Sequence, residues 1–383
     1  MEAHRSAMTQ IHAIWGKKVR PAYETGVSLH GHTWESHENL GFLPSAIKKT
    51  YVLPHLMRIL EQRYRRKWND DIDYNRGYWT SPISPDTAYF IESQQIRNEG
   101  MEPIVSITDH DEIAACNGRG IVSLEWTAPY KAAIFHIGIH NLLAENAPSL
   151  LERLRAITAA EANGPGAAAP ADGNAVRDIL DEIAADPRTL IVLNHPFVDQ
   201  GRIGHAMHES TVRAFLERHR SVIHALEVNA LQPHAVNERV AALGDALGFP
   251  LVAGGDRHAF EPNGAINLTN AKTFAAFAQE IRGEKRSNIL LMPQYRERLA
   301  WRYTRNIEAI MDDYPVLGPR AYWHDRVFYQ CPDGVTRSLT EMKAGKDSIM
   351  ARTTNKLVGV IELVNHLTAT VPPPRERKKR GEK

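Results

Sequence analysis

Cysteine is nearly missing from this chain: Cys116 and Cys331 are the only two among 383 residues. Two cysteines cannot make a disulfide framework, so a hydrophobic core must carry the fold, and a reducing compartment suits it. Long apolar runs are missing too; none approaches the ~20 residues that span a bilayer. The N-terminus has no signal-peptide core either, so a cytoplasmic protein without a membrane partner is expected. An excess of either charge is also lacking. The net charge of +1 gives no reason for the whole surface to attract nucleic acid or anionic lipid. No repeat of fixed period is present. Apolar content of 43% and charged content of 24% are ordinary for a globular protein, and the length suits one large domain with additions or two modest ones.

Histidine, in contrast, is abundant, with 18 copies. Their positions are informative. The segment His30-Gly31-His32-Thr33 is followed by His37, and five later apolar runs end in a metal-capable side chain: VSITDH at His110, IVSLE at Glu125, AIFH at His136, IVLNH at His195, and LVAGGDRH at Asp256 and His258. In a strand, residues two apart share a face, so His30 and His32 can address one cation together, as can Asp256 and His258.

The order of elements fits this pattern. Residues 1 to 22 give no element. A first strand is read from about Gly26 to His30. The stretch from Gly41 to Ser84 is an insertion in which Lys48, Lys49, Arg63, Arg65, Arg66 and Lys67 alternate with aromatics, with helical spacing near residues 54–67. Ser84-Pro85-Asp86 starts a helix that Gly100 stops. Strands follow at 103–108, 120–125 and 132–137. The last two are separated only by WTAPYK, too short for a parallel crossover, and are expected to form a hairpin. A helix is read over 141–159, then an Ala/Gly/Pro-rich loop from Ala162 to Asn174. Alternation continues with helix 174–185, strand 189–194, helix 210–219, strand 223–228, helix 235–247, strand 250–254 and a helix near 271–282. About seven strands alternating with helices predict parallel βα units closed into a barrel.

From Pro293 the pattern changes to a basic amphipathic helix, a hairpin around Pro332-Asp333-Gly334, a helix near 353–367 and a basic, proline-led tail. The expected division is a metal-binding barrel over 20–288 with a lid-like insertion at 41–84, a C-terminal annex over 289–370 and a disordered tail over 371–383.

Each histidine taken alone is an ordinary buried residue. Their coincidence is what matters. In barrels of βα units the C-terminal strand ends converge on one face. Nine imidazoles and carboxylates crowded there are costly unless they pair or bind cations.

The segments LHGHTWESH, SITDHD, LEW, FHIGI, NHPF and GGDRH, in this order over roughly residues 24 to 285, resemble the motifs of the polymerase-and-histidinol-phosphatase (PHP) superfamily. The resemblance implies an α/β fold, a distorted (β/α)7 barrel, here with an insertion after strand 1 and a C-terminal α+β annex. It implies two or three divalent metal ions. His30, His32, Asp256 and a bridging Glu125 would hold the first; Glu125, His136 and His195 the second; His37, His110 and His258 the third. Two departures stand out: Ser28 and His37 occupy positions where the family usually has aspartate. Imidazole with carboxylate and no thiolate suits Zn, Mn or Fe better than magnesium. Cys116, beside the TDH loop, is read as a small hydrophobe.

The chemistry expected of such a site is hydrolysis of a phosphate ester by a metal-activated hydroxide at a trinuclear centre, with Glu125 and Asp256 essential. Arg257 and Arg202 are the candidates to hold phosphate through charge-assisted contacts, although alternation turns Arg257 away from its neighbours. Glu227 and Asn229 are read as partners orienting imidazoles. His205, His208 and Asp111 are candidate proton donors. The expected partner is a small phosphorylated substrate, a nucleotide or a nucleic-acid end. A basic, aromatic lid from the insertion could stack a base, or could pack on the rim with its charges solvated. Two rival readings are a metallohydrolase of a C–N or C–O bond and a non-catalytic metal-stabilised module.

Overall fold

A computed structural model of the chain describes residues 8–13, 23–42, 53–113, 121–162 and 173–344. Its strands are β1 (Thr9–Ala13), β2 (Thr25–Ser28), β3 (Glu38–Asn39), β4 (Gly77–Trp79), β5 (Glu102–Val105), β6 (Ser123–Tyr130), β7 (Ala133–His140), β8 (Leu190–Leu193), β9 (Ala225–Asn229), β10 (Leu251–Gly254), β11 (Ala265–Thr269), β12 (Ser287–Leu291), β13 (Val327–Gln330) and β14 (Thr336–Ser338). Its α-helices are α1 (Leu53–Trp68), α2 (Pro85–Asn98), α3 (Ala147–Ala162), α4 (Gly173–Ala184), α5 (His205–Arg218), α6 (His234–Leu247), α7 (Phe274–Arg282) and α8 (Leu299–Met311).

Local chemistry accounts for several of these limits. The Ser84 hydroxyl caps α2 by accepting from the Thr87 amide, Pro85 opens the first turn, and Gly100 leaves it at φ 82°. Gly248 ends α6 in the left-handed region at φ 73°, where a side chain is disfavoured. Strands β8 to β11 are buried at every position, which is why β8 (LIVL) and β10 (LVAG) read as continuous apolar runs rather than alternating ones, while β9 and β11 bury Glu227, Asn229, Asn267 and Thr269 among their apolar residues.

The architecture is mixed α/β, built on two five-stranded sheets ordered β1-β12-β11-β2-β5 and β10-β9-β8-β7-β6. The pairs β1/β12, β2/β5, β8/β9 and β9/β10 are parallel. Two strands break the regular winding that alternation predicts. β7 runs antiparallel to both β6 and β8, and β11 runs antiparallel to both β12 and β2. WTAPYK does not separate β6 from β7 as a loop; it is mostly strand, and the hairpin turns at Lys131. Strand β1 lies in a segment that gave no sequence signal, and β11 and β12 were also unmarked.

Isolated bridges join the two sheets at Gly31–Arg257, Ser106–Ile121 and His110–Glu125. Among the described residues no continuous ladder closes them into a barrel. Beyond the ends of β2 and β10, at Ser28 and Gly254, the chain turns through positive φ at His30 and Asp256.

The principal core lies beneath the second sheet, where Trp126, Phe135, Leu154, Leu180 and Phe215 are among the buried side chains. Burial of each is worth about 1.5–3 kcal/mol. Trp126 also donates its indole N–H to the Leu154 carbonyl (3.2 Å) and the Thr158 hydroxyl (3.0 Å), so its polar edge is satisfied.

A third sheet, β14-β13-β4-β3, joins the insertion to the annex. Its hairpin β13/β14 turns at Gly334, φ 81°. Among the described residues no helix is long and apolar enough to cross a membrane. Cys116, most of the Ala/Gly/Pro-rich loop, the helix expected near 353–367 and the tail lie outside the described residues.

Candidate metal centre

The seam between the two large sheets is where the histidines gather. His30 (φ 62°), His195 (φ 26°) and Asp256 (φ 51°) sit just past the ends of β2, β8 and β10, all with the positive φ that non-glycine residues avoid. Cross-seam hydrogen bonds hold this geometry: the Asp256 amide donates to the His30 carbonyl (2.8 Å), and the His32 amide donates to the Arg257 carbonyl (2.7 Å). His30 and His32 therefore converge through a kinked backbone and not through strand alternation.

The result is a compact set of six imidazoles and three carboxylates. His30 Nε2 lies 3.1 Å from His32 Nε2. Glu125, fully buried inside β6, is at the centre: its oxygens lie 3.2 Å from His30, 3.5 Å from His32, 3.1 Å from His110, 3.5 Å from His136 and 3.4 Å from His195. Asp256 Oδ1 stands 3.6 Å from His30, 3.5 Å from His32 and 3.2 Å from His258. Glu38 completes the far side, 3.4 Å from His110 and 3.5 Å from His258.

Surrounding groups fix how these side chains present themselves. Glu227 Oε1 accepts a hydrogen bond from His30 Nδ1 at 2.5 Å, while its other oxygen accepts from the His195 amide (2.7 Å) and Asn229 Nδ2 (3.1 Å). The Ser36 hydroxyl donates to Glu38 (2.8 Å) and accepts from the His110 amide (3.1 Å), which leaves it an acceptor for His32 Nδ1 at 3.3 Å. With both Nδ1 atoms donating outward, the Nε2 atoms of His30 and His32 face each other and the carboxylate of Glu125. Asn194 donates to Glu125 at 2.8 Å, and Asn229 donates to Asp256 at 3.2 Å.

Does this set fit cations? Two imidazole nitrogens 3.1 Å apart need a proton or a cation between them. Glu125 Oε2, His136 Nδ1 and His258 Nδ1 are buried without a hydrogen-bond partner. Buried polar atoms are rarely left so, and three at one place point to a missing ligand. Among the described residues, four overlapping groups have metal-ligand spacing: His30/His32/Asp256, His30/Glu125/His195, His32/His110/Glu125 and His32/Glu38/His258. The cluster is compatible with metal binding.

Its electrostatics agree. Burial, helped by the charges of His258 and His110, pushes His32 down to about 3, so its ring stays neutral and able to ligate. Burial pushes Glu125, Asp256 and Glu38 up, but the facing imidazoles outweigh it and keep all three ionised. Burial alone would lower His110, yet Glu38 and Glu125 raise it to about 10, so without a cation the proton takes the cation's place.

The sequence-selected residues divide clearly. His30, His32, His110, Glu125, His136, His195, Asp256 and His258 are brought together. His37 is not. It is exposed and stacked on Tyr78 at 4.1 Å, and the neighbouring Glu38 occupies the place expected for it. Pairing of β3 with β4 sets Glu38 opposite Trp79, whose ring meets His258 edge-on at 5.5 Å, so alternation turns His37 to the other face.

Arg257 does not offer its guanidinium to the centre. Its Nε donates to the buried Glu92 at 2.5 Å and its Nη1 to the Ala259 carbonyl at 2.6 Å, beneath the ligand loop. Arg202 is exposed in the loop before α5. His205 is exposed at the start of α5, and His208 is buried with Nε2 on the Pro196 carbonyl at 2.9 Å. The Asp111 carboxylate accepts from the Thr127 amide at 2.9 Å. Asp109 went unnoticed in the sequence. Burial lifts its carboxyl to about 7 against two hydrogen bonds from Thr33. Its one advance signal was adjacency to His110.

No family model and no curated protein matches this chain. Solved structures similar to it include the crystal structure of PsfC from Pseudomonas syringae PB-5123, at 15% identity and TM-score 0.35, covering 55% of this chain and 85% of that one. Another, provisionally named a metal-dependent phosphoesterase, is from Bifidobacterium adolescentis ATCC 15703, at 17% identity and TM-score 0.30, covering 52% of this chain and 91% of that one. Neither likeness is close enough to carry an argument for fold or activity.

Proposed function

We propose that this chain is a metal-dependent phosphoesterase that uses two or three divalent cations, Zn, Mn or Fe, to hydrolyse a phosphomonoester, a nucleotide or an oligonucleotide end. The observation that supports it most is that Glu125 Oε2, His136 Nδ1 and His258 Nδ1 are buried without a hydrogen-bond partner inside a ring of imidazoles and carboxylates. In this reading the two large sheets are the halves of a distorted barrel, as the ordered motifs of the PHP superfamily imply. The insertion at 41–84 and the annex at 289–370 are additions to a barrel over 20–288.

The cations, when bound, acidify a water to hydroxide near neutral pH and neutralise the oxygens of an in-line displacement at phosphorus. The chain's own groups supply the geometry. Glu125 reaches five imidazoles and so ties neighbouring cation positions together. Glu227 fixes the tautomer of His30, Ser36 that of His32, and Asn194 and Asn229 restrain the two central carboxylates.

The test is metal analysis of the purified protein, followed by turnover of a generic aryl phosphate with Mn or Zn added. Glu125→Gln and Asp256→Asn should each lose bound metal and lower turnover by more than the ~10–100-fold typical of outer ligand partners. Unchanged turnover in both variants would sink the catalytic assignment. Activity confined to amide or lactone substrates would favour hydrolysis of a C–N or C–O bond instead.

A further inference from the structure

Resting on the reading of the histidine cluster as a metal centre, we infer that Glu92, on α2, is a positioning residue for the first cation position. It is 3% exposed and acts through Arg257, the residue between Asp256 and His258. The first trio, His30, His32 and Asp256, comes from two turns that face each other across the seam. Both turns pass through positive φ, 62° at His30 and 51° at Asp256, and such conformations persist only where surrounding contacts over-determine them. Part of that constraint is backbone. The Gly255 amide donates to the Leu29 carbonyl at 3.1 Å, beside the bonds that join Asp256 to His30 and His32 to Arg257. The rest comes from side chains beneath the turns.

Arg257 runs under Gly31, where a Cβ would meet its Nη2 at 3.4 Å. Its Nε donates to Glu92 Oε1 at 2.5 Å and its Nη1 to the Ala259 carbonyl at 2.6 Å. The second oxygen of Glu92 accepts from the Ser28 hydroxyl at 2.8 Å, at the last residue of β2. Asn263 closes the network: its Nδ2 donates to Ser28 Oγ at 3.3 Å and to the Leu29 carbonyl at 3.4 Å, and its carbonyl accepts from Gln95 of α2 at 2.6 Å. One carboxylate therefore joins the strand end that precedes His30 to the residue between Asp256 and His258.

Stability alone does not account for such a pair. Arg257 is 4% exposed, so both charges have given up their water, and an apolar pair of similar volume is often as stable or more so. What apolar side chains do not supply is direction. Hydrogen bonds weaken steeply away from linearity, so the two that Glu92 accepts, from different turns, set the angle between them. The helix thereby holds His30, His32 and Asp256 in their converging arrangement before any cation arrives.

The experiment titrates the full chain with zinc against a competing chromophoric chelator and measures urea stability alongside. Glu92→Gln should bind zinc roughly 10-fold more weakly and also lose stability, because Arg257 stays buried without its counter-charge. The double variant Glu92→Leu with Arg257→Leu removes both charges and separates the two effects. Its stability should return to near the wild-type value while zinc affinity stays roughly 10-fold low. Affinity that returns together with stability would overturn the assignment and leave the pair a merely structural one. Should neither variant fold, Ser28→Ala, which removes only the second bond to Glu92, carries the comparison: weaker zinc binding upholds the role and unchanged binding overturns it. If the wild type binds no zinc, hydrogen exchange over residues 30–32 and 256–258 still decides. Faster exchange in the double variant, or in Ser28→Ala where that carries the comparison, upholds the positioning role while the metal reading falls, and equal exchange overturns the role itself.

Discussion

Gly254 is the residue whose replacement most directly tests how the centre is held together. A Cβ at this position would lie 1.6 Å from Glu227 Oε1, 2.6 Å from its Cδ and 3.0 Å from its Cγ. Ordinary contact needs about 3.4 Å, so the carboxylate of Glu227 must retreat by close to 2 Å in Gly254→Ala. It cannot retreat freely. Three donors converge on it, from His30 Nδ1, the His195 amide and Asn229 Nδ2, and a hydrogen bond to a charged group contributes about 1.5–3 kcal/mol. Either the strand yields, at the ~1–3 kcal/mol typical of overpacking, or the His30 bond breaks and that imidazole loses its fixed orientation.

Loss of a carboxylate behind a ligating histidine typically weakens metal binding 10–100-fold, which is about 1.4–2.7 kcal/mol. Gly254→Ala should therefore bind zinc roughly 10–100-fold more weakly than the wild type in a titration against a competing chromophoric chelator, with an unchanged far-ultraviolet circular dichroism spectrum. Glu227→Gln should produce a similar loss without any steric change, because its amide nitrogen would face either His30 or the two donors on the other side. If Gly254→Ala folds and binds metal as tightly as the wild type, Glu227 does not organise this centre and the argument fails.

Two further predictions concern assignment and pH. Glu38→Gln should lower the bound-metal count by one, since Glu38 spans His110 and His258, whereas His37→Ala should leave it unchanged because His37 only stacks on Tyr78. Metal analysis showing the opposite pattern would return the ligand role to His37. Away from the centre, burial, with Arg282 and Lys285, lowers His224 to about 3, and its Nδ1 accepts from the Ile191 amide at 2.9 Å. The folded ring stays neutral while the unfolded one protonates below about 6.5, so its contribution is complete above that pH and is lost as the pH falls toward 3. At pH 5 the loss is on the order of 2 kcal/mol. His224→Asn keeps the acceptor and removes the titration, so the difference between its urea stability and that of the wild type should shrink from pH 7 to 5. Parallel curves would refute it.

What was legible in the sequence was residue type at strand ends. An imidazole or carboxylate in an apolar run is conspicuous because burial makes the run, and eight of the nine expected ligands come together, although Glu125 and His136 lie inside β6 and β7 and not at their ends. What was not legible depends on partners far along the chain. The five residues of β1 look unremarkable until β12, more than 270 residues later, pairs with them in parallel. The charge of Arg257 suggested phosphate because Glu92, which neutralises it 165 residues away, could not be placed beside it.

The exchange of Glu38 for His37 shows the same limit at its smallest scale. Both residues can ligate a metal, and they are neighbours: Glu38 opens the two-residue strand β3 and His37 immediately precedes it. Which of them faces inward is set by pairing with Gly77–Trp79 across the whole insertion. A shift of one residue in this register would send His37 inward and Glu38 to solvent, exchanging an anionic group for a neutral one beside His110 and His258. The pairing of β3 with β4, and of β4 with β13, thus decides which of the two side chains reaches the centre, and with it the charge there. Sequence pattern around residues 30 to 38 alone could not reveal that choice, because the deciding contact lies in segments that carry no ligand of their own.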